Sequence, residues 1–151
     1  NGRSFDAAVQ GAKAGGFLEP DPSMDLDGWD TAMKTVIQAN TYWDQTYTLA
    51  DVEVQGIRGL TQADMVDAKS KGEVWCMVGR AVQNLDGSLK LTAGPERVPA
   101  DHPLARAHWS DKVLWMRTRT QGEQVHHCIG ASASSTPGNM YLDLVTIARE
   151  L

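Results

Sequence analysis

The feature that most constrains the fold is a run of carboxylates that leads directly into a helix. Five acidic side chains lie within twelve residues, and they are Glu19, Asp21, Asp25, Asp27 and Asp30. Two prolines and a glycine in the same stretch favour turns. Carboxylates this close repel one another, so the acidic segment (residues 16–34) needs a cation among them. Lys34, a substrate amine or a metal ion can fill that role.

Asp30 and Lys34 are four residues apart on the predicted helix, which places both side chains on one face. Most such pairs are solvent-exposed ion pairs that contribute little to stability. The acidic neighbours favour a second interpretation, in which Lys34 is a functional residue, because nearby carboxylates keep its ammonium group charged. A charged lysine can relay a proton and orient a hydroxyl, whereas a lysine that acts as a general base must be neutral before the reaction begins. Asp21 and Asp27 are predicted to be turn and helix-capping residues.

The remaining pattern predicts an α+β fold. Helices are expected over residues 4–15, 27–43, 61–71 and 140–151, where apolar positions recur at helical spacing between capping residues. Strands are expected over residues 51–57, 74–83, 89–93, 113–120 and 124–130. This order predicts a mostly antiparallel mixed sheet with helices packed on one face. A chain of 151 residues is expected to form one domain.

Three local features are also predicted. The apolar face of the second long helix is expected to contain Met33, Val36, Ile37, Asn40 and Trp43. Pro95, Pro99 and Pro103 are expected to make the chain irregular after residue 93. Residues 132–138 are expected to form a polar loop before the last helix.

Composition and motif spacing argue against several functional classes. The net charge is −5 without a basic cluster, which disfavours nucleic-acid and anionic-membrane partners. No apolar run approaches the ~20 residues of a membrane helix. Cys76 and Cys128 lie in predicted strands as buried thiols, and two cysteines do not make a secreted disulfide framework, so a cytoplasmic location is expected. No metal is expected, because neither zinc spacing nor a calcium-loop pattern is present.

The acidic segment resembles the signature of homoserine dehydrogenases, A-x-x-x-G-(aromatic)-(small)-E-x-D-P-x-x-D-(aliphatic)-x-G-x-D-x-x-x-K. The matching residues are Ala12, Gly16, Phe17, Glu19, Asp21, Pro22, Asp25, Leu26, Gly28, Asp30 and Lys34. Leu18 stands where the family has a small residue, and Phe17 stands where many members have tyrosine. Weaker matches extend over residues 56–72, 101–105 and 140–151, so the resemblance covers essentially the whole chain.

The resemblance implies a catalytic and dimerisation domain over residues 1–151. The family interconverts L-homoserine and L-aspartate 4-semialdehyde with NAD or NADP, on the route to threonine and methionine. Carried over by position, Lys34 relays the proton of the reacting hydroxyl with Asp30 beside it. Glu19, Asp25 and Phe17 would contact the substrate, with Glu19 on its ammonium group.

The resemblance also implies partners for this chain. The sequence contains no G-x-G-x-x-G unit, whereas the family carries a nucleotide-binding domain ahead of this region. That domain is expected to bind most of the cofactor and to pack against the helix of residues 139–151. Gly130 and Ala131 match the middle of the family's G-x-G-A-G run and are the candidate cofactor contacts. The isolated chain is expected to be inactive, and a homodimer is expected through the sheet.

Two alternative interpretations stay open. A non-enzymatic relative would keep the fold as a dimerisation or amino-acid-binding module. An unrelated acidic domain would use the acidic segment to bind a cation such as calcium, although the segment lacks the spacing of a calcium loop.

Overall fold

Helices dominate the first part of the chain and strands most of the rest, and together they form an α+β structure, as the sequence predicts. The computed structural model describes residues 4–108, 111–129 and 135–150, with the backbone alone for residues 135–139 and 150. The chain divides into two compact units, the first ending at Ala100 and the second beginning at Asp101. The first contains α1 (Phe5–Ala14), α2 (Ser23–Leu26), α3 (Trp29–Trp43), β1 (Val52–Val54), α4 (Gln62–Ser70), β2 (Glu73–Gln83) and β3 (Leu89–Pro99). The second contains β4 (Lys112–Thr118), β5 (Gly122–Cys128) and α5 (Ser135–Glu150).

The sheet of the first unit is mixed, with strand order β1-β3-β2. Strand β1 runs parallel to β3, with Val52 opposite Leu91, and β2 runs antiparallel to β3, with Gly79 opposite Ala93. In the second unit, β4 and β5 form an antiparallel hairpin with Trp115 opposite Val125. The predicted fold class, a mostly antiparallel mixed sheet with helices, is confirmed.

Helices α3 and α4 cover one face of the sheet in the first unit. The buried cluster joins α3 to the strands and contains Ala32, Ala39, Val52, Leu89, Leu91 and Ala93. Helix α4 is anchored by Trp75, whose Nε1 donates to the backbone oxygen of Asp64 at 3.2 Å. Side chains alternate between the faces of a strand, so Trp75 and Gly79 of β2 share the face that contacts the helices.

The predicted apolar face of α3 is partly wrong. Met33 and Ile37 are 37% and 64% exposed, whereas Ala32, Thr35 and Ala39 are the buried side chains of this helix. The cause is close packing, because a Cβ added at Gly79 of β2 would lie 2.1 Å from Thr35 Oγ1. Only small side chains fit between surfaces this close. Val36 and Trp43 do pack against the core, as predicted.

Helix α3 also begins later than predicted and lacks the predicted cap. The short helix α2 precedes it, and the N-cap of α3 is Gly28, at φ 88°, so neither Asp25 nor Asp27 caps it. Glycine adopts this left-handed conformation without the steric penalty of other residues. A Cβ at Gly28 would also lie 2.9 Å from the backbone oxygen of Gln55, which leaves no room for a side chain.

Two further boundaries correct the sequence prediction. Strand β3 continues through Pro95 to Pro99 instead of becoming irregular after residue 93. Strand β1 pairs with β3 only as far as Ala93, so β3 is an edge strand at Pro95, where proline is tolerated. Helix α5 begins at Ser135, within the predicted polar loop, and Pro137 lies in its first turn, where no intrahelical donor is lost.

The cysteines lie in strands, but their burial differs from the prediction. Cys76 in β2 is half-buried, and burial raises the pKa of its thiol. Cys128 at the end of β5 is exposed, because β5 pairs with β4 alone in the described part of the second unit. Within the described residues, none of the helices has the length and apolar character needed to span a membrane.

Candidate active site

The acidic segment starts where α1 ends and is tied back to that helix. Gly16 takes a left-handed conformation at φ 72°, and the Phe17 N–H donates to the Ala12 carbonyl at 3.0 Å. Lys13 of α1 donates from Nζ to the Pro20 carbonyl at 3.0 Å. Phe17, a predicted substrate contact, is 64% exposed at this turn. The segment is therefore tied to α1 on both sides of Glu19, by a backbone hydrogen bond before it and a lysine side chain after it.

Asp21 is a turn residue, as predicted. Its Oδ1 accepts the Ser23 N–H at 3.1 Å and also the Ser23 hydroxyl. These hydrogen bonds, the hydroxyl first, lower the pKa of Asp21 below its ordinary value. They shape the turn that precedes α2, so Asp21 acts within the loop.

Asp27 has a partner that the sequence does not reveal. Arg58, in the loop after β1, donates from Nε to Asp27 Oδ1 and from Nη2 to Asp27 Oδ2, the latter at 3.3 Å. The hydrogen bond from Arg58 lowers the pKa of Asp27. A fork of this kind fixes the orientation of the carboxylate as well as balancing its charge. Asp27 is thus an ion-pair residue, which corrects its predicted capping role.

Asp30 and Lys34 form the predicted pair on the first two turns of α3. Lys34 Nζ donates to Asp30 Oδ2, and the two side chains are 53% and 38% exposed. Each adjoins a residue that faces the sheet. A Cβ at Gly79 would lie 2.1 Å from Thr35 Oγ1 and 3.3 Å from Thr31 Cγ2. The close contact with β2 therefore sets the position of the pair.

Glu19 and Asp25 differ from the other three carboxylates. Both are exposed, and neither makes a hydrogen bond or an ion pair with the part of the chain that the structure describes. Asp21, Asp27 and Asp30 have Ser23, Arg58 and Lys34 as partners. The carboxylates of the acidic segment without an ion pair or hydrogen bond are consequently Glu19 and Asp25, and Lys34 lies on the helix that follows the segment. Exposed carboxylates of this kind can bind a cationic group.

Comparison with known proteins identifies the family. A family model described as homoserine dehydrogenase matches residues 1–145. The chain belongs to the homoserine dehydrogenase family. An NAD(+)-dependent homoserine dehydrogenase of Pseudomonas canavaninivorans is 32% identical over 146 residues, which are 97% of this chain and 42% of that protein.

Solved homoserine dehydrogenases share the fold. The enzyme of S. aureus, crystallised at pH 7.5, matches with a TM-score of 0.88 and 27% identity over 97% of this chain and 36% of the other. That of Thiobacillus denitrificans matches with a TM-score of 0.92 over 99% and 34%, and at 23% identity this likeness shows the fold alone. The chain therefore spans about a third to two-fifths of the length of these homoserine dehydrogenases.

The passage from β1 to α4 does not fit the phosphates of a nicotinamide dinucleotide. Such phosphates bind at a strand–glycine-loop–helix passage, and the passage from β1 to α4 has this order. A Cβ at its Gly56, however, would lie 2.5 Å from the Leu26 carbonyl oxygen, so this chain's own backbone fills the space. The N-terminus of α4 is capped by Thr61 and carries the Asp64 carboxylate, which repels an anion. The other cofactor candidates, Gly130 and Ala131, lie outside the described residues.

Arg58 is the residue of this site that sequence reasoning missed. It is 31 positions from Asp27, and no periodicity or motif links the two. The available sign was the charge imbalance of the acidic segment, which demanded cations beyond Lys34 without indicating which ones. Only the tertiary contact between the loop after β1 and the junction of α2 with α3 reveals the pairing.

Proposed function

We propose that this chain is the substrate-binding and catalytic part of an NAD(P)-dependent homoserine dehydrogenase. The enzyme would interconvert L-homoserine and L-aspartate 4-semialdehyde on the route to threonine and methionine. One observation carries the proposal: the Asp30–Lys34 pair follows a segment whose Glu19 and Asp25 are exposed and form no ion pair with the described residues. Homoserine has both complementary groups, an ammonium for the carboxylates and a hydroxyl for the lysine.

Substrate binding in this proposal follows from charge. Glu19 accepts hydrogen bonds from the ammonium group of homoserine, and Asp25 adds a second negative charge to the same region. The exposed ring of Phe17 lies two residues before Glu19 and packs against the aliphatic part of the substrate. Because phenylalanine lacks a hydroxyl, its contact is apolar.

Oxidation of a primary alcohol to an aldehyde removes a hydride from carbon and a proton from oxygen. The nicotinamide cofactor supplies the hydride acceptor for this chemistry. The Lys34 ammonium group donates one proton to Asp30, with which it already shares a hydrogen bond, and the lysine nitrogen accepts the proton of the substrate hydroxyl. Positioned proton transfer of this kind contributes roughly a hundredfold to ten-thousandfold in rate.

The remaining parts of the proposal concern partners outside this chain. NAD or NADP binds mainly to a nucleotide-binding domain beyond the described residues. That domain covers α5, whose apolar side chains Leu142, Leu144 and Ile147 are 60%, 65% and 56% exposed. A homodimer forms through the sheet face opposite α3 and α4. That face carries the Arg80–Glu96 ion pair and the exposed side chains of Val74 and Val82. A cytoplasmic location stays a prediction.

The test uses the full-length protein that contains this chain. Homoserine-dependent reduction of NAD or NADP should be measured for the wild type, Lys34→Ala and Lys71→Ala. Lys71 is the matched control, because it forms an exposed i,i+4 pair with Asp67 on α4. We expect Lys34→Ala to lower kcat by about a hundredfold or more and Lys71→Ala to leave it unchanged.

Three results of this experiment would contradict parts of the proposal. An unchanged kcat in Lys34→Ala would remove Lys34 from the reaction. Absence of homoserine turnover in the wild-type protein would refute the enzymatic function and favour a binding or dimerisation module. Full activity of the isolated 151-residue chain would refute the need for a separate nucleotide-binding domain.

A further inference from the structure

The loop after β1 holds the acidic segment at one point, the junction between α2 and α3. The Ile57 N–H donates to the Leu26 carbonyl at 2.8 Å. A Cβ at Gly56 would lie 2.5 Å from that carbonyl oxygen and 2.8 Å from Asp27 Cα. These backbones are therefore in direct contact. The Arg58 fork on Asp27 is the side-chain component of the same contact.

The junction lies between the two halves of the proposed site. Asp25 precedes it on α2, and Asp30 follows it on α3. The part of the proposed site on α3, which contains Asp30 and Lys34, is held independently of the junction, because Thr31 and Thr35 pack on Gly79 of β2. The part with Glu19 and Asp25 is held at the junction itself, where Leu26 is buried. Without a cation there, the negative charge of Asp21 would push the Asp27 carboxylate away. Arg58 supplies that cation and a direction for the carboxylate.

We propose that Arg58 is a positioning residue for the substrate, acting through Asp27 to hold the carboxylates that bind the homoserine ammonium group. This inference rests on the proposed homoserine dehydrogenase function and deepens it. Because α3 is anchored separately, loss of Arg58 displaces Glu19 and Asp25 while leaving Lys34 and Asp30 in place. The effect falls on substrate affinity more than on the chemical step.

The experiment compares full-length wild-type protein with Arg58→Ala, Arg58→Lys, Asp27→Asn and the double variant Asp27→Asn/Arg58→Ala. We expect Arg58→Ala to raise the homoserine KM about tenfold with kcat within about twofold, since loss of one hydrogen-bonded contact between charged groups has an effect of at least this order. The KM for the nicotinamide cofactor stays unchanged. Lysine cannot form the two-pronged contact, so Arg58→Lys recovers only part of the affinity. The double variant resembles the single variants, because both disrupt one contact.

Arg117 provides the matched control. It also donates from Nε and Nη2 to one carboxylate, that of Glu123, but on the β4–β5 hairpin. Arg117→Ala should leave the homoserine KM unchanged. A homoserine KM in Arg58→Ala within about twofold of wild type, or an equal rise in Arg117→Ala, overturns the proposal. A fall in kcat together with equal rises in the KM values for homoserine and for the cofactor also overturns it, because such changes indicate general destabilisation.

The outcomes separate this inference from the function on which it rests. Wild-type protein that does not oxidise homoserine refutes the proposed function, and the positioning role in that reaction with it. An active wild type with an unaffected Arg58→Ala refutes the positioning role alone. If Arg58→Ala loses its cooperative unfolding transition, Arg58→Lys decides the question. An unchanged homoserine KM in that variant then overturns the proposal, and a selective rise supports it.

Discussion

Replacing Gly79 by alanine forces a methyl group into the space where α3 touches β2. The new Cβ would lie 2.1 Å from Thr35 Oγ1, far inside van der Waals distance, and 3.3 Å from Thr31 Cγ2. Thr35 is 5% exposed, so its side chain cannot turn out to solvent. Its hydroxyl also donates to the Thr31 carbonyl at 2.8 Å. Accommodation requires either a shift of the helix or loss of that hydrogen bond.

The free energy of unfolding should fall by about 1–3 kcal/mol in Gly79→Ala. Overpacking a close contact costs ~1–3 kcal/mol, and the hydrogen bond contributes ~1 kcal/mol. The lower entropy of the unfolded chain with alanine offsets ~0.4–1 kcal/mol of this. Replacing Thr35 by alanine should relieve the clash, because the nearest remaining atoms, Thr31 Cγ2 and the Cβ of residue 35, are 3.3 and 3.4 Å away. Gly79→Ala in a Thr35→Ala background should therefore cost much less.

Urea unfolding followed by tryptophan fluorescence measures the effect as a shift in midpoint at constant slope. Gly59→Ala is the matched control, since no atom lies within 4 Å of its added Cβ. Its stability should stay within about 0.5 kcal/mol of wild type. A Gly79→Ala protein as stable as the control would refute the close contact. So would strictly additive effects of Gly79→Ala and Thr35→Ala.

Two other measurements test the core and a helix cap. Leu91→Ala should lower the free energy of unfolding by about 2–5 kcal/mol, because Leu91 is 2% exposed on β3, the middle strand of the sheet, and wild-type stability would contradict this packing. Hydrogen bonds from Thr61 lower the pKa of Asp64 below the usual 3.8. Their stabilisation is present above that value and is lost as the pH falls through the lower folded-state pKa. The free energy of unfolding should fall less steeply with decreasing pH in Asp64→Asn than in the wild type. Identical slopes would show that the Thr61–Asp64 hydrogen bonds do not stabilise the fold.

Local features of the site could be predicted from the sequence. The Asp30–Lys34 pair depends only on helical periodicity and on a helix starting after the acidic segment. The turn at Asp21 depends on a side chain bonding two residues ahead, which is also local. The α+β class followed from the order of apolar patterns. These features required no knowledge of which elements meet in space.

Features that depend on contacts between distant elements were missed. Hydrophobic periodicity selected Met33 and Ile37 as buried because they are large and apolar, but the space beside Gly79 admits only small side chains. Pro95 was expected to end β3, although the short length of β1 leaves β3 unpaired on that side. The Arg58–Asp27 ion pair joins segments that only the folded chain brings together. Each miss reflects tertiary packing overriding a local rule.

The close packing of α3 on Gly79 affects how the substrate selectivity of the proposed enzyme could change. Thr31 and Thr35 lie on the sheet side, and each immediately follows one member of the Asp30–Lys34 pair. The helix can neither slide along its axis nor rotate without driving a threonine into β2. The Asp30–Lys34 pair is thus fixed in position, and in the proposed function the acidic segment is the part of the site that could change. Selection for a longer or shorter amino-acid substrate would act on the length and turns of that segment, leaving α3 as it is.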